Sequence, residues 1–269
     1  MNDFKVLIDE MKIRGFSRRT IGRYLYINQK FLNFARKSPR DITKKDIENY
    51  LVYLYDNNKS SATRHLVCAA LKFYYEDVLK RKFNLKYPKK SSKLPIVLSK
   101  DEILKMIDSL KNSKHKLLLE LMYGSGLRVG EAIKIKVEDF DVDRKTLHIK
   151  DGKGSKDRIV NLSERFLTNF SRFVMGKNSG YLFESAQRIG NYISPRTAQL
   201  IVKSAIKKSQ ISKNAHCHTL RTSYATHLIE NGIDISYVQK LLGHSRISTT
   251  QAYIRLNASS IRSIKSPLD

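Results

Sequence analysis

The sequence of 269 residues has few cysteines and no long apolar run, and each shortage excludes a class of protein. Its two cysteines, Cys68 and Cys217, give no disulfide framework and suit a reducing compartment. No apolar run approaches the length that spans a membrane, and the first residues lack the apolar core of a signal peptide. We therefore expect a soluble, cytoplasmic protein with no membrane partner.

Acidic residues are also scarce. The chain has 25 Asp and Glu against 51 Lys and Arg, which gives a formal net charge of +26. A surface this positive repels itself, so the imbalance favours a polyanionic partner, most often a nucleic acid. An anionic membrane is the weaker alternative, because no polybasic cluster flanks an amphipathic or lipidated terminus.

Residues 1–85 have the apolar spacing of four or five helices. We predict helix starts at Ser17, at Thr43 with Asp46 as its capping-box partner, and at Ser60. The predicted helical domain carries basic residues on its outer faces, for which contact with a nucleic-acid backbone and a merely solvated surface both remain open. These residues are Arg18, Arg19, Arg23, Arg64 and Lys72.

Residues 86–97 contain two prolines and four lysines without helical periodicity, which indicates a basic linker. A second domain is predicted over residues 98–269, and its first helix begins at the capping box of Ser99 and Glu102. The alternating segments 146–150 and 157–162 predict a β-hairpin, and we expect only helices after Ser163. The predicted fold is mainly α, in two domains, with a small antiparallel sheet in the second.

Two arginines are candidate phosphate ligands, because a guanidinium group binds phosphoryl oxygens in a bidentate manner. Arg128 follows a glycine-framed turn, and Glu131 lies within one helical turn of it. Arg221 and His218 share a helix face, which we expect to point away from the apolar stripe of the same helix. A surface role for Arg128 stays open, as does metal binding by the histidines that flank Cys217.

Three further residues complete a set that could cut a phosphodiester without metal. Lys153, in a glycine-rich hairpin turn, could protonate a leaving oxygen, and Lys156 in the same turn is a candidate DNA contact. Tyr253 could be a nucleophile if nearby cations or a base activate it, since a free tyrosine has a pKa of about 10. His244 lies in the turn before it. Taken singly, each of these residues has an ordinary structural explanation.

In order and spacing, the motifs G-L-R-V-G-E, G-K-G-S-K-D-R, H-T-L-R-T-S-Y-A-T-H-L and L-L-G-H-S-R-I-S-T-T-Q-A-Y resemble those of the tyrosine recombinases, specifically their Xer-type members. The resemblance covers nearly the whole chain and implies a helical, SAM-like core-binding domain before the catalytic domain. It implies roles for six residues: an arginine pair, a general acid, two phosphate-contacting or proton-handling histidines, and a nucleophile. These are Arg128 and Arg221, Lys153, His218 and His244, and Tyr253.

Two positions depart from the family pattern. Thr222 stands where many relatives have a histidine and Asn161 where many have a proline, and neither change removes a catalytic group.

The resemblance implies cutting and rejoining of duplex DNA at a specific site, with no metal, ATP or other cofactor. Its intermediates would be a 3′-phosphotyrosine and a Holliday junction, formed in a homotetramer on two DNA sites. The short tail after Tyr253 would be exchanged between protomers.

A nucleoid-associated role in chromosome or plasmid dimer resolution is favoured, since the sequence shows no arm-binding domain before the core-binding one. Integration or excision of a mobile element, a type IB topoisomerase-like activity and a non-catalytic DNA-binding protein remain alternatives. The target DNA sequence is not predicted.

Overall fold

The computed structural model describes residues 4–89, 95–150, 157–243 and 250. The chain divides into two compact units, residues 1–93 and 94–269. Several predicted features lie outside the described residues, namely Lys153, Lys156, His244, Tyr253 and the tail that follows it.

The regular elements of the first unit are all helical within its described residues. They are α1 (Lys5–Ile13), α2 (Arg18–Ala35), a 3₁₀ turn (Pro39–Asp41), α3 (Lys44–Asp56), α4 (Ser61–Lys72) and a π-helical turn (Phe73–Val78).

The predicted starts of α2, α3 and α4 are confirmed, each by a hydroxyl that binds a free backbone amide. Ser17 and Ser60 each accept a hydrogen bond from the amide three residues on. Thr43 and Asp46 exchange side chain-to-backbone bonds in both directions. The helix starts are therefore local properties of the sequence, because these side chains replace the partners that the first turn lacks.

The core of the first unit is rich in aromatic rings. Phe31 packs against Tyr50 and Tyr75, with ring centroids 5.3 and 6.1 Å apart. Tyr75 lies in the π-helical turn, which follows α4 directly and buries three aromatic residues in succession. Burial raises the pKa of the Tyr75 phenol well above its ordinary value, so this tyrosine is a core residue.

The second unit contains helices and two small sheets. Its elements are α5 (Lys100–Asp108), α6 (Ser113–Gly124), α7 (Val129–Ala132), a 3₁₀ turn (Val137–Asp139), β1 (Phe140–Asp141), β2 (Thr146–Ile149), β3 (Arg158–Asn161), α8 (Glu164–Val174), β4 (Glu184–Ser185), β5 (Arg188–Tyr192), α9 (Pro195–Lys208), α10 (Cys217–Glu230) and α11 (Ile235–Leu242).

The predicted hairpin is confirmed as β2 paired antiparallel with β3, and β1 extends the sheet on the other side of β2. The expectation of helices alone after Ser163 is wrong, because β4 and β5 form a second antiparallel pair. Most of β5 is exposed and lacks apolar alternation, so the sequence carries no strand signal there. The pair is instead held by Glu184, which binds the Gly190 amide and the Lys177 ammonium.

Helix α6 forms the centre of the second unit and leads directly to the candidate site. Leu117 to Leu119, Leu121 and Met122 are almost completely buried, so the helix is covered on all sides. It packs against α5, α8, α9 and α10 and ends at Gly124. None of the helices in the described segments is both long and apolar enough to cross a membrane.

Candidate active site

The turn that follows α6 places Arg128 at the start of α7. Gly126 adopts a left-handed conformation with φ of 61°, and a Cβ atom there would collide with the ring of Tyr224. The left-handed backbone and the lack of space for a side chain therefore both require glycine at position 126. Arg128 is the N-cap residue of α7, and its backbone amide donates to Oε2 of Glu131 at 2.9 Å. The predicted link between Arg128 and Glu131 is thus present in the geometry.

Glu131 is the shared acidic partner of three arginines. Its carboxylate lies 2.7 Å from Nη1 of Arg128, 2.7 Å from Nη2 of Arg158 and 3.9 Å from Nη1 of Arg221. Burial by itself raises the pKa of Glu131, but the hydrogen bonds and charge of Arg158 and Arg128 outweigh burial and lower the pKa to about 2. The carboxylate is therefore ionised at neutral pH, and three arginines against one glutamate leave a net positive cluster.

Arg221 is completely buried, so the expectation that it faces away from the core is wrong. Its Nη1 donates to the Gly126 carbonyl at 2.7 Å, and its Nη2 donates to the Leu242 carbonyl at 2.5 Å. These carbonyls and Glu131 replace water around the charge. Arg221 therefore joins the turn after α6, the helix α10 that carries it and the end of α11.

The C-terminal end of α11 converges on the same cluster. Nε of Arg158 donates to the Leu241 carbonyl at 2.9 Å, and Nη2 of Arg128 lies 3.5 Å from the Gly243 carbonyl. With the Leu242 bond from Arg221, three successive carbonyls meet three arginines, which suits the negative end of a helix dipole. The next residue in the sequence is His244, outside the described segments.

His218 lies one helical turn before Arg221, at the start of α10. Although its ring is exposed, partial desolvation and then the charges of Arg221, His216 and Arg128 lower the pKa of His218 below its usual 6.5. His218 is therefore neutral at pH 7 and can accept a proton or donate one from a single ring nitrogen.

We expect NMR titration of the His218 Cε1 proton, assigned with His218→Gln, to give a pKa below about 6.5. Because the folded pKa is lowered, the stability contributed by neutral His218 is present above the unfolded pKa and is lost as pH falls through the folded one. Inorganic phosphate should raise the pKa, since an anion beside the ring favours the imidazolium. A free-protein pKa at or above the ordinary value would contradict this environment.

The basic residues predicted on the first unit differ in exposure. Arg18, Arg19 and Arg23 are exposed on α2, whereas Arg64 and Lys72 are half-buried on α4. Lys72 is 3.3 Å from Glu76, and Arg64 lies over the Tyr55 ring at 4.8 Å. The two α4 residues are thus partly engaged within their own unit.

The alternative of a metal site beside Cys217 gains no support from the described residues. Within them no group of three or more His, Cys, Asp or Glu side chains is arranged to hold an ion. Burial raises the pKa of the Cys217 thiol to about 11, so this side chain is protonated at neutral pH.

Arg158 is the residue of the cluster that the sequence did not reveal. The only available signal is strand alternation, because Arg158 lies two residues before buried Val160, while Ile159 between them is exposed. An arginine at an inward position indicates a buried partner, and Glu131 is that partner.

The cluster is suited to an anion with several oxygens. Guanidinium groups offer paired donors in a fixed plane, and donors that the fold already holds in place need little reorganisation when an anion binds. Among the described residues, the cluster brings together Arg128, Arg221 and His218, which the sequence predicted as one site. It includes Glu131, which the sequence spacing linked to Arg128, and adds Arg158.

Family models match most of the chain. Residues 97–260 match the phage integrase family, and residues 4–85 match the phage integrase N-terminal SAM-like domain. Tyrosine recombinase XerA of Pyrococcus horikoshii is 36% identical over 257 residues, which cover 94% of this chain and 88% of the relative.

Two solved structures are also similar. XerA recombinase superposes with a TM-score of 0.57 at 28% identity, covering 97% of this chain and 96% of that one. XerH site-specific recombinase, bound to a palindromic difH substrate in a post-cleavage complex, has a TM-score of 0.75. The match covers 93% of this chain and 80% of that one, and at 21% identity it shows that the two share a fold. The chain belongs to the phage integrase family and is a site-specific tyrosine recombinase of the Xer type.

Proposed function

We propose that this recombinase cuts and rejoins duplex DNA at a specific site through a covalent phosphotyrosine. The observation that carries the proposal is the cluster in which partly exposed Arg128 and buried Arg221 share Glu131 beside His218. Family membership, the net charge of +26 and the palindromic difH substrate bound in the similar XerH structure support duplex DNA as the substrate.

In the proposed reaction the Tyr253 oxygen attacks the phosphorus and the bond to the 5′-oxygen breaks. The products are a 3′-phosphotyrosine and a free 5′-hydroxyl. Arg128 and Arg221 stabilise the charge on the phosphoryl oxygens, and Lys153 donates the proton that the 5′-oxygen needs to leave. His218 and His244 contact the phosphate or accept the tyrosine proton.

Religation reverses these steps on a partner strand. Because the phosphotyrosine ester conserves the bond energy, strand exchange through a Holliday junction needs neither ATP nor a metal. We propose a homotetramer on two DNA sites, with the tail after Tyr253 docking on a neighbouring protomer. Dimer resolution is the favoured biological role, and integration or excision of a mobile element is the alternative.

The two compact units suggest a division of labour for this reaction. We propose that residues 1–85 are the core-binding domain, that residues 86–97 are a basic linker along the phosphate backbone, and that residues 98–269 are the catalytic domain. The exposed α2 residues Arg18, Arg19 and Arg23 are proposed backbone contacts, together with Arg64, Lys72 and Lys156.

The test begins with DNA fragments selected from the source genome by binding to the protein. Two copies of a selected site are cloned as direct repeats in a supercoiled plasmid. With EDTA and without ATP, we expect two smaller circles and a protein–DNA adduct. Relaxation of a plasmid that lacks any selected site would indicate a topoisomerase-like enzyme instead. Binding without either product would indicate a non-catalytic DNA-binding protein.

A further inference from the structure

We propose that Arg158 is a positioning residue for strand cleavage: it fixes the Glu131 carboxylate and the end of α11, and through the carboxylate it sets the geometry of Arg128. This inference rests on the proposed function, because it concerns the same reaction. Arg158 is not one of the six residues that the family motifs assign.

The contacts of Arg158 join three elements of the second unit. From β3, its Nη2 and Nη1 reach the two carboxylate oxygens of Glu131 on α7, at 2.7 and 3.2 Å. Its Nε reaches the Leu241 carbonyl at the end of α11, at 2.9 Å. All three guanidinium nitrogens therefore donate to protein atoms, in the planar fork that a lysine cannot reproduce.

The contact with Glu131 controls Arg128 directly. Oε1 of Glu131 accepts hydrogen bonds from both Arg158 and Arg128. When Arg158 is absent, the buried carboxylate loses its bidentate partner and has Arg128 and the more distant Arg221 to neutralise it. Arg128 already lies 2.7 Å from Glu131, so a carboxylate without Arg158 would hold Arg128 more strongly and compete with a bound phosphate for it. Arg158 thereby keeps Arg128 available.

The contact with α11 controls the other side of the cluster. Gly243 has a left-handed φ of 62°, and a Cβ atom there would lie 3.1 Å from Cδ of Arg158. Arg158 and Arg221 bind the last two carbonyls of the helix, at Leu241 and Leu242. Together they hold the point at which the chain leaves α11, one residue before His244.

Arg158 acts through these neighbours and not on the phosphate itself. Its side chain is only 8% exposed, and its donors are already committed to Glu131 and Leu241. By contrast, the Arg128 side chain is 27% exposed. Arg128 is therefore accessible to a ligand, whereas the Arg158 guanidinium is occupied by the Glu131 carboxylate.

The experiment compares Arg158→Met and Arg158→Lys with the matched control Arg165→Met. Arg165 makes a similar contact, with Nε 2.9 Å from Oε1 of Glu120, whose side chain is only 3% exposed, but on α8 and outside the arginine cluster. Three quantities are measured for each protein: the rate of adduct formation on saturating nicked DNA, the dissociation constant for the same DNA, and the melting temperature.

We expect Arg158→Met to lower the rate of adduct formation about 100-fold, because a small misplacement of catalytic groups has an effect of this size. The affinity for DNA should change little. Arg158→Lys should recover part of the rate, because an ammonium can bind Glu131 or the Leu241 carbonyl but not both in the same geometry. Arg165→Met should lower the melting temperature and leave the rate near that of the wild type.

A double variant tests the route through Glu131. If Arg158 acts through that carboxylate, Arg158→Met combined with Glu131→Gln should lose much less than the product of the two single losses. Multiplicative losses would overturn the inference, as would a wild-type rate in Arg158→Met or equal losses in the Arg158 and Arg165 variants. Adduct formation by the wild type tests the proposed function separately from the role of Arg158. If the wild type forms no adduct, the proposed function itself is refuted.

Discussion

A Tyr253→Phe protein is expected to bind the selected duplex as the wild type does and to form no covalent adduct with it. The substitution removes one oxygen and keeps the ring, so contacts that depend on shape survive. Loss of the attacking group in a covalent mechanism costs on the order of a millionfold in rate, which places the variant below detection. The effect is the largest that any single substitution in this chain should have.

The measurement uses a duplex nicked beside the cleavage point, so that a short 5′-hydroxyl fragment diffuses away and the adduct accumulates. Denaturing gels then separate bound from covalent complexes. Tyr237→Phe is the matched control, because Tyr237 is an exposed tyrosine of α11 that lies outside the arginine cluster. An adduct in Tyr253→Phe would mean that another of the 14 tyrosines is the nucleophile, and peptide mapping would identify it.

The parts of the fold that the sequence predicts are those determined by neighbours in the chain. Ser17, Thr43 and Ser60 bind amides within the next turn, so their role is visible without tertiary structure. The β2–β3 hairpin is similar, because alternation of buried and exposed residues is itself the signal. The β4–β5 pair was missed because Glu184 holds it through contacts that no periodicity reveals.

The candidate site divides in the same way. Arg128 and Glu131 lie within one helical turn, so their pairing follows from spacing. Arg221 was expected on an exposed face, since an arginine among apolar residues is costly to bury. It is buried because the Gly126 and Leu242 carbonyls, 95 and 21 residues away, accept its donors. Arg158 was missed for the same reason, since the distance along the chain hides both of its partners.

Replacing the two predicted phosphate-binding arginines by methionine should separate catalysis from stability. Arg128→Met should lower the rate of adduct formation about 1,000-fold, as loss of a transition-state donor does. Its stability should change by less than about 1 kcal/mol, because a partly exposed ion pair contributes little. Glu131 also keeps its bidentate bonds to Arg158 in this variant.

Arg221→Met should lose cleavage to a similar degree and also destabilise the second unit. It leaves the Gly126 and Leu242 carbonyls without their donor, which should cost about 2–5 kcal/mol. A loss of each 1 kcal/mol lowers the melting temperature by about 2–4 °C in a domain of this size. Arg172→Met, at an exposed arginine of α8, controls for the loss of one positive charge.

Both arginines contact the Glu131 carboxylate, but Arg221 also donates to the buried Gly126 and Leu242 carbonyls. If the cluster were only structural, the loss of cleavage would follow the loss of melting temperature, and Arg128→Met would retain most of its activity. If it binds the scissile phosphate, Arg128→Met loses cleavage while it stays folded. Equal melting temperatures for the two variants would instead show that the buried carbonyl bonds of Arg221 contribute little to the fold.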